Sequence, residues 1–133
     1  MAGTTLQLRD LIKRRPLTVD GGATIRDVVK IMALEDVGFL IVKEREEVVG
    51  VLSERDVIKA LAEGEDLGKK VGSLCKRDVI TLRDNSTLEE AAQLMGKQRI
   101  RHIVVVDVTG EVVGVVSVKD LLEELFSPGP MGE

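Results

Sequence analysis

Aromatic side chains are nearly absent from this chain. Trp and Tyr do not occur and Phe occurs twice, so the interior has to be built from Val, Leu and Ile. A single cysteine, Cys75, excludes an intramolecular disulfide. One His and one Cys, with no metal-ligand spacing, no G-x-S-x-G and no P-loop, leave out the usual nucleophile and metal constellations, so neither a catalytic residue nor a metal site is expected. No apolar run is long enough to span a bilayer and no signal peptide is visible, which makes a cytoplasmic protein the expectation. Basic residues are not in excess either. The balance of 19 basic against 23 acidic side chains gives a net charge of -4, which offers no global attraction to nucleic acid or to an anionic membrane.

What is present is a tandem repeat. EVVGVLSERD at 47–56 returns as EVVGVVSVKD at 111–120, identical at seven of ten positions. In each copy, Val on both sides of one Gly reads as a buried strand, and the charged residues after the Ser begin a helix. The Ser is therefore a strand-to-helix junction. There Ser53 and Ser117 can cap the first turn, with Asp56 and Asp120 three residues on at the positive end of the helix dipole. A capping box alone is a sufficient explanation of one S-x-x-D; a duplicated cap would also be inherited twice.

The rest of the chain follows the same period. Leu8, Leu11 and Ile12 have the spacing of a short amphipathic helix, ending in Lys13, Arg14 and Arg15, and Val71, Leu74 and Cys75 repeat it 63 positions later. Cys75 at that apolar position reads as a small core residue. Leu17, Thr18 and Val19, preceded by Pro16, and Ile80, Thr81 and Leu82 are single strands. Thr24 and Thr87 precede helices whose stripes are Ile25, Val28, Val29, Met32 and Leu88, Ala91, Ala92, Met95. Ile31, Leu34 and Leu94 lie off those stripes, and the surplus apolar surface predicts a homodimer. Strands follow at 37–42 and 100–106, then turns at 44–47 and 107–111, the second longer by one residue and containing Gly110. The repeated strand and a last helix close each half.

With 133 residues the economical arrangement is one compact domain made of two halves. The expected partition is 8–66, 67–126 and a loose tail at 127–133, with Met1 to Thr5 frayed. Each half reads helix, strand, helix, strand, strand, helix, an α/β (α+β) arrangement. Three strands with helices on one face do not close a core well alone, so the two sheets are expected to pack together about a pseudo-twofold.

The repeat resembles the cystathionine beta-synthase (CBS) domain. The resemblance rests on the apolar strand, Gly, two apolar positions, Ser and x-x-Asp in both halves, on the Thr-initiated helices, and on RHIVVVD at 101–107. It implies a stand-alone pair, often called a Bateman module, that binds an adenosine-containing ligand such as AMP, ADP, ATP or S-adenosylmethionine in two clefts between the halves, with no chemical turnover. By the family pattern one cleft combines Ser117, Asp120 and Val115 with Leu17, Val37 and Gly38, and Arg101 reaches the phosphate. The second combines Ser53, Asp56 and Val51 with Ile80, Ile100 and His102. The chain departs from the family at Lys13 and Lys76, which stand where Thr is frequent and belong to the first and second cleft respectively. A carboxylate offers two acceptor oxygens to the two donors of a ribose cis-diol, which suits Asp120 and Asp56.

Arg101 and His102 in one half replace Gly38 and Phe39 in the other, so the two clefts are expected to be unequal, the Asp120 cleft binding better. The rival is a structural pairing module, without a nucleotide, whose S-x-x-D boxes only cap helices. A regulated protein partner is implied by the resemblance but not identified.

Overall fold

The computed structural model describes residues 6–126; the frayed start and the loose tail expected from sequence lie outside the described residues. The chain divides into two compact units, residues 16–79 and residues 1–15 with 80–133. These units are not the sequence repeats. Each repeat's opening segment belongs to the unit formed by the other repeat's strands and helices.

In the first unit β1 (Thr18–Asp20), β2 (Phe39–Glu44) and β3 (Glu47–Ser53) form a sheet in that order, β1 parallel and β3 antiparallel to β2, with α1 (Ile25–Glu35) and α2 (Glu54–Ala62). In the second, β4 (Thr81–Arg83), β5 (His102–Val106) and β6 (Val112–Ser117) repeat that order and direction, with α3 (Leu88–Gln98) and α4 (Val118–Leu125). The fold is thus α+β, two three-stranded mixed sheets with helices. The opening segments are 3₁₀ turns at Leu8–Leu11 and Val71–Ser73, shorter than the amphipathic helices expected there.

Both cores are aliphatic. Ile25, Val28, Leu40, Val42, Leu52 and Val57 meet in one unit and Leu8, Ala91, Met95, Ile103, Val105 and Leu121 in the other. Cys75 is one of the core residues, its thiol pushed up from its ordinary pKa by burial. The helical stripes differ from expectation at their flanks. Ile31 and Leu94 pack against their own cores, whereas Val29 and Ala92 are exposed. Residues 29 and 31 flank the 25, 28, 32 stripe on opposite sides, and periodicity alone does not choose between them.

The middle strands begin later than expected because the helices before them claim their first amides. Asp36 and Arg99 close α1 and α3 in the left-handed region, at φ 54° and 57°, and the next amides, Val37 and Ile100, donate back to the carbonyls of Met32 and Met95 at 3.1 and 3.0 Å. An N–H spent on a helix end is lost to the sheet ladder. Val37, Gly38, Ile100 and Arg101 are consequently left at the mouths of their sheets.

The central Gly of the repeated strand admits the opening segment. A Cβ on Gly50 would stand 2.6 Å from Cys75 Sγ and 2.6 Å from the Lys76 carbonyl, and one on Gly114 would stand 2.7 Å from Ile12. Such approaches exclude any side chain unless the neighbour moves.

Candidate functional site

All four α-helices of the described residues start with a reciprocal capping box: Thr24 with Asp27, Ser53 with Asp56, Thr87 with Glu90, and Ser117 with Asp120. Capping therefore accounts for the S-x-x-D spacing. It does not account for the surroundings. Asp27 and Glu90 are exposed, and the backbone hydrogen bond from Thr24 holds the Asp27 carboxyl below its usual pKa. Asp56 and Asp120 are half-buried, at the junctions where β3 runs into α2 and β6 into α4.

The donors and acceptors at the Ser117 junction can be followed one by one. The Ser117 N–H donates to Asp120 Oδ2 at 2.8 Å and the Asp120 N–H donates to Ser117 Oγ at 3.1 Å. The Val118 N–H donates to the Arg101 carbonyl at 2.8 Å. Of the amides that a helix start leaves without an intrahelical partner, only that of Lys119 then has no hydrogen bond among the described residues. Asp120 Oδ1 and the Ser117 hydroxyl proton are uncommitted in the same sense. The junction thus presents an acceptor, a hydroxyl donor and an amide donor side by side. The exposed Arg101 stands one backbone hydrogen bond away.

The neighbouring strand edge adds a peptide group. The Val104 N–H donates to Ile80 at 3.2 Å and Val104 faces Val115 across the ladder, so that pair is not hydrogen-bonded and the N–H and C=O of Val115 point to the outer edge of β6. No partner for them occurs among the described residues. Ile80 and Ile100 are half-buried at the same sheet end, and His102 pairs with Ser117 across the ladder. Lys13 is exposed beyond the first opening turn.

The Ser53 junction has the same skeleton and different occupants. Ser53 and Asp56 exchange bonds of 2.9 and 3.2 Å, and the Glu54 N–H donates to Gly38 at 2.9 Å. Leu17, half-buried, accepts from the Ile41 N–H at 3.0 Å. Lys76, however, lies against both groups that remain open at the other junction. Its N–H and C=O pair with those of Val51 at 2.9 and 2.8 Å, and its Nζ stands 3.6 Å from Asp56 Oδ1. Gly38 does not open free space either, for the Glu54 carboxylate lies over it, with atoms 2.9 Å from where a Cβ would sit.

The structure therefore brings Val51, Ser53, Asp56 and Lys76 together in one unit, and Val115, Ser117, Asp120 and Arg101 in the other. Sequence reasoning missed Glu54, the amide of Lys119 and the double engagement of Lys76. The exchange of Glu54 for Val118 between the repeats was the one visible signal. Among the described residues no helix is long and apolar enough to cross a membrane.

Several known proteins resemble this chain in structure or in sequence. A CBS domain protein of Pyrobaculum aerophilum, solved in complex with AMP, is 34% identical, with a TM-score of 0.80, over 90% of this chain and 98% of that one. The CBS domain pair of protein MJ0100, in complex with 5′-methylthioadenosine and S-adenosyl-L-methionine, is 25% identical with a TM-score of 0.84, over 92% and 97% of the two chains. The CBS domain-containing protein YhcV of Bacillus subtilis is 30% identical over 86% of this chain and 81% of its own length. Other relatives are longer: this chain spans 37% and 63% of two uncharacterized Methanocaldococcus jannaschii proteins that it matches at 27% and 33% identity. The CBS domain family model matches residues 8–63 and again 71–127, and with the duplicated sheet, helix and junction described above, this chain belongs to the CBS domain family as a tandem pair.

Proposed function

We propose that this chain is a regulatory rather than catalytic module that binds an adenosine-containing ligand at its strand-to-helix junctions, AMP in the first instance. The observation that carries this reading is the half-buried Asp120, which keeps one carboxylate oxygen beyond its cap, beside a Ser117 hydroxyl that keeps its proton. A ribose needs an acceptor for its hydroxyl protons and can return an acceptor to the serine. Arg101, at the same helix start, suits a phosphate, which favours AMP over the thioether and sulfonium ligands of MJ0100. The assignment of Leu17, Val37 and Gly38 to the Asp120 ligand, and of Ile80, Ile100 and His102 to the Asp56 ligand, rests on the family resemblance and is part of the same proposal.

A thermal-shift panel tests the reading. AMP, ADP, ATP, 5′-methylthioadenosine and S-adenosylmethionine are compared at a hundred times the dissociation constant, where a ligand of the native state adds about 2.7 kcal/mol. AMP is expected to give a rise of several degrees. No rise with any of the five would return the module to the structural reading.

We infer in addition that the module pairs with a second copy of itself. Ile58 and Leu61 on α2 correspond to Leu122 and Leu125 on α4 at the repeat offset, and their exposures are 65, 38, 48 and 64%. Leu34 on α1 is 83% exposed. The same apolar face carried twice is suited to an isologous contact. Sedimentation at micromolar concentration is expected to give twice the 14.5 kDa of the chain; a 14.5 kDa species alone would contradict pairing.

A further inference from the structure

The two junctions share a sequence motif but differ in what already occupies them. At the Ser117 junction the Val115 peptide edge and Asp120 Oδ1 have no partner among the described residues. At the Ser53 junction the equivalent groups are both held by one residue, Lys76, through its backbone and its ammonium. Lys76 and Lys13 hold the same place in the two repeats, yet no Lys13 pairing with Val115 or Asp120 matches it. The repeats have therefore diverged in contact while keeping the residue type.

We propose that Lys76 is an internal occupant of the Ser53–Asp56 junction, which makes Ser117–Asp120 the primary ligand site and sets the affinity of the second by how readily Lys76 is displaced. This rests on the adenosine reading above and adds to it the residue that ranks the two sites. Chemically, a ribose hydroxyl that donates to Asp56 has to compete with the Lys76 ammonium for the same oxygen. The Lys76 side chain is 63% exposed and that of Asp56 13%, so the ammonium can swing into water while the carboxylate stays. An ion pair with one partner so exposed is weak and screened by salt. The ammonium is accordingly an obstacle that a ligand overcomes at a modest loss of affinity, whereas the backbone pairing of Lys76 with Val51 stays in place. Glu54 adds a second carboxylate at this helix start, where α4 has the uncharged Val118.

The test uses 5′-methylthioadenosine, whose lack of charge confines any salt effect to the protein's own ion pair. It is titrated calorimetrically into the full chain, into Asp120→Asn to silence the primary junction, and into Lys76→Met/Asp120→Asn, with thermal melts to confirm that each variant is folded. Asp120→Asn is expected to leave a weak site that tightens as salt rises. Lys76→Met in that background is expected to tighten it about two- to fivefold, the range that an exposed ion pair is worth, and to remove the salt dependence. Equal or weaker binding after Lys76→Met overturns the proposal while leaving the adenosine reading intact, as does a double variant that no longer binds. Absence of binding of both this ligand and AMP to the unmodified chain overturns both.

Discussion

Asp120→Asn is expected to lower AMP affinity at least tenfold while leaving the fold nearly as stable as before. The asparagine carboxamide keeps one oxygen, which can go on accepting the Ser117 N–H now bonded to Asp120 Oδ2. It places an NH₂ where Oδ1 stands, turning the acceptor offered to a ribose hydroxyl into a donor. One lost charge-assisted hydrogen bond is worth about 1.5 to 3 kcal/mol, and about 1.4 kcal/mol is tenfold in affinity. The loss of negative charge at the start of α4 costs about 0.3 to 1 kcal/mol of stability. Asp120→Ala is the less clean variant because it removes the cap as well. Ser117→Ala serves as the capping control and is expected to cost about 0.5 to 2 kcal/mol of stability in the ligand-free protein. An Asp120→Asn protein whose AMP affinity stays within twofold would reduce the carboxylate to a helix cap.

Gly50→Ala is expected to be among the most destabilising single-methyl additions in the chain, at about 2 to 6 kcal/mol. The new methyl would meet the Lys76 carbonyl at 2.6 Å, the same carbonyl that accepts the Val51 N–H at 2.8 Å. Relief requires the Lys76 backbone to move off β3, which gives up two backbone hydrogen bonds at about 0.5 to 1.5 kcal/mol each on top of about 1 to 3 kcal/mol of overpacking. Gly114→Ala meets the half-buried side chain of Ile12 instead, and a side chain can yield where a paired backbone does not. Its cost is expected near 1 kcal/mol. Urea denaturation of the two variants checks the contrast; equal losses would mean that the Lys76 pairing contributes nothing to the first unit.

Much of the fold was legible because the repeat states it twice. The strand-Gly-strand-Ser pattern and the Thr-initiated helices have their structural counterparts, and the extra residue of the second hairpin shows in the register, where Val106 faces Val112 and Lys43 faces Val48. The late starts of β2 and β5 were not legible, because apolar residues at 37 and 100 look the same whether their amides serve a sheet or a helix end. The composition of each compact unit was hidden too. An opening segment carries no mark of which repeat it will pack against. At the junctions, sequence identified Ser53, Asp56, Ser117 and Asp120, since capping chemistry is local. It could not show that Lys76 folds back on Asp56 while Lys13 makes no matching contact, because two lysines at equivalent positions differ only in what surrounds them.

The central claim is that an adenosine ligand sits at the Ser117–Asp120 junction, and amide chemical shifts recorded during an AMP titration test it most directly. The amides of Val115, Ser117, Lys119, Asp120 and Arg101 are expected to move first and to saturate together. Those of Ser53, Asp56 and Lys76 are expected to follow only at higher AMP concentration. A titration that leaves the five amides of the Ser117 junction unmoved, or that moves the Ser53 set first, would contradict the account.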